Sequence, residues 1–210
     1  MLLYDYFRSS ACFRVRIALN FKGLAPERRY VHLRKGEQRA PGYLDVNPQG
    51  LVPTLVIGKR RLTQSLAIME FLEEEHPLPP LLPQDPGKRA WVRAFAQAIA
   101  CDIHPLNNTR VLKYLDEVVK VEPAVRDEWY RHWIREGFAA LESQLAGRPS
   151  TYCCGDTVTL ADVCLVPQVF NAKRLDVDLA PYARIRAVFD ACMSLSAFAD
   201  AQPSRQPDAE

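Results

Sequence analysis

The chain reads as a small α/β domain followed by an all-helical one, and three observations predict this. Residues 2 to 75 place short apolar runs and helical stretches in the order β-α-β-(α)-β-β-α. Pro77, Pro79, Pro80, Pro83 and Pro86 then crowd between His76 and Pro86, a run that fits neither a helix nor a sheet. Beyond it, apolar residues recur at helical spacing only. The expected boundaries are 1–80 for the α/β domain, 81–87 for a linker and 88–210 for the helical domain. A chain of 210 residues has the length for two small domains or one large one.

Each element has a local reason. Leu2 to Phe7 reads as a short buried strand. Ser9-Ser10 precede Val15, Ile17, Ala18, Leu19 and Phe21, and Lys22-Gly23 close the run, which gives a helix with a serine cap and a glycine stop. Arg29 to Leu33 alternate as a second strand, and residues 34 to 46 form a polar connection with room for one helical turn. Val52-Pro53 opens a third strand, because proline is tolerated at a strand's first residue and X-Pro bonds are where cis peptides occur. Leu55 to Ile57 are apolar, Gly58-Lys59-Arg60 turn the chain, and Arg61 to Thr63 return. Ser65 is expected to cap a helix from Leu66 to Glu75. A parallel crossover followed by a hairpin is the thioredoxin-like arrangement.

In the second half, Arg89 to about Leu115 is expected as one long helix, with Trp91, Phe95 and Ile99 near one face and a kink at Pro105. Val125 to Leu145 forms another, with Trp129, Trp133, Phe138 and Leu141 as apolar contacts. Thr159-Leu160-Ala161-Asp162 is a capping signal for a helix ending near Ala172. Ile185 to Met193 is a further helix, and the polar tail after Ala201 is expected to be loose.

Composition excludes several classes of function. Apolar residues make up 48% and charged residues 25%, with a net charge of +2, so no general nucleic-acid or membrane field is indicated. No apolar stretch is long enough to span a bilayer. The N-terminus lacks the charged start and long apolar run of a signal peptide. Cys12, Cys101, Cys153, Cys154, Cys164 and Cys192 show neither a C-x-x-C pair nor zinc spacing. They read as reduced thiols of a cytoplasmic protein, with no metal expected.

Candidate chemistry gathers at two places in the α/β domain. A cis bond at Pro53 would turn the Val52 N–H and C=O outward, where a peptide-like ligand can pair with them as an added strand does. The free N–H groups at the helix start near Ser65 suit a carboxylate. Ser9 and Ser10 sit where the first strand meets the first helix. One is read as a plain N-cap and the other as a hydroxyl facing a ligand thiol, which the helix dipole also favours as thiolate. The dipole alone is worth about 0.3–1 kcal/mol at an exposed site, so several donors must cooperate. Arg8 would face whatever the serines bind. Cys12, three residues after Ser9, reads as a small buried side chain.

In the helical domain, His104 and Asn108 share a helix face beside Cys101. His104, before a proline, reads as a hydrogen-bonding residue rather than half of a nucleophilic pair. Asn107 and Asn108 are unfavourable in mid-helix, which points to a purpose. Arg110 lies about 120° round an ideal helix from His104. Arg174 ends a helix, where pairing with terminal carbonyls is the plain reading. Adjacent Cys153-Cys154 read as core packing.

These motifs together resemble a known family. The run Ser9-Ser10-Ala11-Cys12-Phe13-Arg14-Val15-Arg16-Ile17-Ala18-Leu19 is similar to the signature of zeta-class glutathione transferases. Asn47-Pro48, Val52-Pro53, Gln64-Ser65-Leu66-Ala67-Ile68, Leu82-Pro83-Gln84-Asp85, Val166-Pro167-Gln168, Val177-Asp178-Leu179 and Gln206-Pro207-Asp208 match it in order, across nearly the whole chain. The resemblance implies the glutathione transferase fold, a thioredoxin-like domain plus an all-α domain, usually as a homodimer. It implies glutathione as cofactor and a cis–trans isomerase of maleyl keto-acids, closest to the maleylacetoacetate type, with the maleylpyruvate type close behind. Ser9, with Ser10 beside it, would hold the thiolate. Gln38, Val52, Pro53, Gln64 and Ser65 match glutathione-binding positions, and His104, Asn108, Thr109 and Arg110 match positions on the ligand side of the long helix. Arg8, Arg110 and Arg174 match arginines for the carboxylates of a dicarboxylate substrate, and Arg8 joins the serines as catalytic. One departure stands out. The family cysteine after the serine pair is Ala11 here, with the cysteine displaced to Cys12. The competing readings are a general glutathione transferase or peroxidase, a non-catalytic scaffold, and a thiol oxidoreductase centred on Cys12.

Overall fold

The computed structural model describes every residue from Met1 to Glu210. The chain divides into two compact units: Met1–Leu81 together with Met193–Glu210, and Leu82–Cys192. The expectation of a helical domain running on to residue 210 is corrected by this division, since residues 193–210 belong with the α/β unit.

The first unit is built on four strands, β1 (Leu2–Asp5), β2 (Glu27–Tyr30), β3 (Thr54–Ile57) and β4 (Arg60–Thr63). Their order in the sheet is β2-β1-β3-β4. β2 lies parallel to β1, whereas β3 runs antiparallel to it with Leu3 opposite Leu55 and Tyr4 opposite Thr54. The hairpin β3–β4 needs only Gly58-Lys59 between its strands, with Gly58 at φ +58°, a conformation glycine adopts without steric cost. Three helices complete the βαβ(α)ββα order: α1 (Ser10–Phe21), the short α2 (Pro41–Leu44) and α3 (Ser65–Glu75).

β2 starts and ends earlier than the alternation of residues 29–33 predicts. It is an exposed edge strand, so its pattern reports no buried face. After it, the His32 side chain accepts the Lys35 N–H at 3.2 Å and starts a tight turn, which removes residues 33–35 from the sheet. The start of α3 is also corrected. Ser65 is the first helical residue and not the cap. The boundary falls at Gln64, whose φ of +66° and ψ of 119° cannot continue into a helix.

α1 is buried along almost its full length, and two of its buried side chains are arginines, Arg14 (1% exposed) and Arg16 (0%). Arg16 pairs with Asp5 at 2.8 Å, both side chains fully buried. A second buried pair, Lys22 Nζ to Glu73 Oε2 at 2.8 Å, is completed by donation to the His76 and Pro79 carbonyls. The same Glu73 oxygen accepts the Leu81 N–H. Every proton of that ammonium thus has a partner, the condition under which a buried charge is tolerated.

The tail is not loose. Asn20 of α1 donates to the Ala197 carbonyl at 3.2 Å. Arg16 Nε donates to the Ala201 carbonyl, Arg28 to Gln206, and Phe7 N–H to Asp208. Polar composition suggested solvent exposure; instead the polar groups serve as partners for buried donors.

The second unit is helical: α4 (Pro86–Gln97), α5 (His104–Leu106), α6 (Thr109–Tyr114), α7 (Pro123–Leu145), α8 (Leu160–Arg174) and α9 (Ala183–Met193, whose last residue counts with the first unit). The long helix expected from 89 to 115 is interrupted. A π-helical stretch, residues 98–103, follows α4, and the chain breaks at Asn107. Pro105 lacks the N–H that would continue the ladder. The two asparagines then explain themselves. Asn107 is buried and donates to the Tyr130 carbonyl, and the Asn108 side chain caps α6 by accepting the Arg110 N–H at 2.7 Å. α7 passes so close to the π-helical stretch that a Cβ at Gly137 would lie 2.2 Å from Ile103 Cδ1. The expected capping box at α8 is present: Asp162 accepts the Thr159 N–H at 2.8 Å and the Cys153 N–H at 2.8 Å. The carboxyl of Asp162 is pushed up by burial, which outweighs those hydrogen bonds.

Candidate functional site

The first unit assembles eight of the expected residues. Ser9 is the N-cap of α1: its backbone is extended and its Oγ accepts the Cys12 N–H at 3.2 Å. An oxygen used as acceptor here still carries its own hydrogen, so one serine both caps the helix and keeps a donor for a ligand. Of the two serines, Ser9 is therefore the N-cap, and its hydroxyl also keeps a hydrogen to donate. Ser10 is the first helical residue and is buried, while Arg8 is half-buried beside the cap.

The loop before β3 is held from behind. Tyr43 Oη donates to the Leu51 carbonyl at 2.5 Å, and Asn47 Nδ2 donates to the same oxygen at 2.8 Å. Burial pushes the Tyr43 hydroxyl up to about 12, so it stays a donor. The Val52-Pro53 bond is cis, and the Val52 N–H and C=O take no hydrogen bond within the chain. Gly50, at φ +61°, approaches so closely that a Cβ there would meet the Gln38 carbonyl oxygen at 2.9 Å. Gln38 is thereby brought beside this loop, and its Oε1 is buried with no hydrogen-bond partner.

At the third point, Gln64 holds a left-handed φ that a side chain rarely adopts, a strain of order 1–3 kcal/mol that such sites sustain only when their surroundings enforce it. Its amide donates to Gln49 Oε1 at 3.3 Å, and the next residue, Ser65, starts α3 with its side chain largely buried. Arg14 Nη1 donates to Ser65 Oγ at 3.3 Å.

Buried Cys12 belongs to an apolar cluster with Tyr6, Phe7, Val31, Tyr43 and Val52. Its thiol is raised well above the ordinary value, first by burial and then by Asp5; the Arg16 charge and the Ser9 hydroxyl pull the other way and lose. That environment removes the thiolate an oxidoreductase needs.

In the second unit, His104 is half-buried at the start of α5, Asn108 caps α6, and Thr109 and Arg110 open α6 in exposed positions. Arg174, in the last turn of α8, donates to the Tyr130 hydroxyl at 3.0 Å rather than to a helix-end carbonyl.

Residues 8–75 match the family described as "Glutathione S-transferase, N-terminal domain", and residues 123–192 match "Glutathione S-transferase, C-terminal domain". A probable maleylacetoacetate isomerase of Vibrio cholerae is 47% identical, covering 100% of this chain and 98% of that one. The chain belongs to the glutathione S-transferase family.

Within it, the relationship is to the zeta class. The holo structure of maleyl pyruvate isomerase, a bacterial glutathione S-transferase in that class, is 48% identical and superposes with a TM-score of 0.98, covering 100% of both chains. A maleylacetoacetate isomerase from Anaeromyxobacter dehalogenans 2CP-1 is 43% identical with a TM-score of 0.89, covering 100% of this chain and 93% of that one. That structure carries dicarboxyethyl glutathione and citrate in its active site. Sequence reasoning about this transferase missed Arg14, Arg16 and Asp208 as supports of the site. The available signal was two arginines inside an otherwise apolar helical run, a placement that makes sense only if their charges are used internally.

Proposed function

We propose that the chain is a glutathione-dependent isomerase that converts maleylacetoacetate to fumarylacetoacetate, cis to trans, in the homogentisate branch of tyrosine and phenylalanine catabolism. The observation that carries the reading is the α1 start, where Ser9 Oγ accepts the Cys12 N–H and, being an acceptor there, keeps its own hydrogen to donate to a sulfur. The other glutathione groups find complementary chemistry in the same unit. The unpaired Val52 backbone suits a peptide, and Pro53 holds that edge. The α3 start at Gln64 and Ser65 suits a carboxylate, and the unpartnered Gln38 oxygen suits an amide or ammonium.

When bound, glutathione supplies reversible addition of its sulfur to the conjugated double bond, which makes that bond single, lets it rotate, and is undone by loss of the same sulfur with no net change in protons or electrons. Ser9 donates to the thiolate and holds it ionised, with the α1 N-terminus and Ser10 beside it. Arg8, Arg110 and Arg174 bind the two carboxylates and the negative charge that develops on the substrate ketone. His104, Asn108 and Thr109 are further proposed ligand-side residues, on the resemblance to the zeta class. A dicarboxyethyl group on glutathione is what sulfur leaves on adding to a four-carbon unsaturated dicarboxylic acid, so the adduct in the relative supports this chemistry. We further propose a cytoplasmic homodimer.

A second reading has its own support: the chain is equally similar to a maleyl pyruvate isomerase, so the maleylpyruvate of gentisate-type degradation is the alternative substrate. The two maleyl keto-acids, followed by absorbance with and without glutathione, separate these readings by their rates. Glutathione-dependent turnover that collapses in Ser9→Ala is the expected result. Binding of glutathione without isomerisation of either acid would overturn it in favour of a general transferase or a scaffold.

A further inference from the structure

Two charged groups with no part in the proposed reaction, buried Arg16 and half-buried Asp208, converge on one residue, Phe7, immediately before Arg8 and Ser9. Arg16 Nη2 donates to the Phe7 carbonyl at 2.9 Å, and its Nη1 donates to the Tyr6 carbonyl at 3.3 Å and to Asp5 Oδ1 at 2.8 Å. From the other side, Asp208 Oδ2 accepts the Phe7 N–H at 3.0 Å. The Ser9 N–H closes the turn on the Tyr6 carbonyl at 3.0 Å. Both backbone polar groups of Phe7 are thus held by ionised side chains, whose hydrogen bonds are roughly twice as strong as neutral ones.

Asp208 is itself fixed. Two residues earlier, Gln206 is buried and donates to the Asp200 carbonyl at 2.8 Å and the Gln202 carbonyl at 2.9 Å, while its Oε1 accepts from Arg28 at 2.6 Å. Arg16 Nε ties the same segment down at the Ala201 carbonyl, 2.9 Å away. The stretch from Asp200 to Asp208 is a folded brace on the β1–α1 turn, separated in sequence from everything it holds.

We infer that Asp208, with Arg16, is a positioning residue for Ser9: the carboxylate and the guanidinium clamp Phe7 so that the Ser9 hydroxyl is aimed before any ligand arrives. The inference rests on the thiolate role of Ser9 proposed above. A hydroxyl on an unclamped turn would have to be ordered at the expense of binding, and a misplacement of about 1 Å can cost roughly 10²-fold in rate.

The test uses the full chain as wild type, Asp208→Ala and Asp208→Asn. Arg16 is kept, because removing it strands the buried Asp5. Three readouts are taken: amide hydrogen exchange of Phe7, Arg8 and Ser9 without ligand, the ultraviolet titration of the thiol of bound glutathione, and the separate kcat and KM for glutathione. Asp208→Ala is expected to speed exchange at these amides, raise the bound thiol pKa by about half a unit or more, and lower kcat roughly 10-fold with a smaller change in KM. Asp208→Asn keeps an acceptor oxygen and is expected to restore most of the thiol pKa. An Asp208→Ala protein that melts earlier but ionises bound glutathione as wild type does would overturn the inference, as would an Asn variant as impaired as the Ala one. If wild type itself leaves the thiol at its free value, the thiolate reading fails and this inference with it; if wild type lowers it and Asp208→Ala does too, the inference alone fails.

Discussion

Arg14, buried in the middle of α1, donates from Nη1 to Ser65 Oγ at 3.3 Å, joining the helix that carries Ser9 to the first residue of α3. A guanidinium only donates, so the Ser65 oxygen is an acceptor here and its own hydrogen faces away from Arg14. That hydrogen is left to donate to the glutathione carboxylate proposed for the α3 start. A hydrogen bond to a charged group is worth about 1.5–3 kcal/mol, so Ser65→Ala is expected to raise the KM for glutathione by roughly 10-fold or more, with kcat within about two-fold of wild type. Initial rates at varied glutathione decide it. An equal fall in kcat would move Ser65 from binding to the chemical step.

Ser9 carries a stability role and a chemical role that one substitution separates. As N-cap it satisfies the Cys12 N–H, and replacing a serine cap by alanine costs about 1 kcal/mol. As thiolate donor its loss is expected to lower kcat by roughly 10²-fold, the scale seen when one donor to a developing or stored charge is removed. Thermal melts and kinetics on Ser9→Ala should therefore disagree in size. Activity that falls only with the folded fraction would leave Ser9 a cap and nothing more.

Much of this site was legible from short-range chemistry. Proline after Val52, serine before an apolar helix and the Thr159–Asp162 box all act within a few residues, and each stands where local rules put it. What was hidden depends on partners far along the chain. Nothing near Asp208 announces that it accepts the N–H of Phe7, and polar composition there argued for the opposite. Arg14 and Arg16 are unusual in an apolar helix, but only the fold shows that one serves Ser65 and the other the Tyr6–Phe7 carbonyls. The start of α3 slipped by one residue because Gln64 adopts a conformation that side chains avoid, which propensity does not foresee. The long second-domain helix broke where Pro105 and two asparagines follow one another, and there the sequence promised a kink and delivered a stop.

Cys12 offers a direct check on the oxidoreductase alternative. Burial raises its thiol well above the ordinary range, and no part of it reaches the surface. A thiol held neutral and covered does not react. In the native protein, a maleimide or haloacetamide reagent is expected to spare Cys12 while modifying exposed Cys101. Cys12→Ala should keep isomerase turnover within about two-fold while losing some stability through the cavity it leaves. Mass mapping of the labelled protein settles the first point. Labelling of Cys12 at the rate of Cys101 would contradict the buried position.

Asp208 makes a prediction about pH whose sign is opposite to that of a salt-bridged carboxylate. Its carboxyl is raised above the ordinary 3.8, by burial first, against the lowering effect of the Phe7 N–H. Asp5 adds to the rise and Arg16 opposes it. The folded state therefore holds this proton more tightly than the unfolded state does. The stability contributed by the group is greatest below the unfolded value and falls as pH rises from there through the folded value. An asparagine cannot titrate. Compared with Asp208→Asn, wild type should lose relative stability as pH rises across that window, and the difference should be constant above it. Denaturant midpoints for both proteins at a series of pH values measure this, and a difference that grows in favour of wild type would mean the carboxylate is stabilised in the fold.

Gly137 sets two physical effects against each other within α7. Its backbone is helical, so intrinsic propensity favours alanine there by about 1 kcal/mol. Sterics oppose it: an added Cβ would lie 2.2 Å from Ile103 Cδ1 and 2.4 Å from Ile103 Cγ1, both far inside contact distance. Ile103 is 4% exposed and sits in the π-helical stretch that α7 packs against, so its side chain has little room to swing away. Forcing a methyl group into a packed core costs typically 1–3 kcal/mol. The steric cost is expected to win, making Gly137→Ala destabilising by about 1 kcal/mol in denaturant melts. Paired with Ile103→Val, which withdraws the Cδ1 methyl, the alanine should cost less than it does alone, giving a coupling of about 0.5 kcal/mol or more between the two sites. Additive effects would mean that α7 shifts as a body rather than that these two side chains collide.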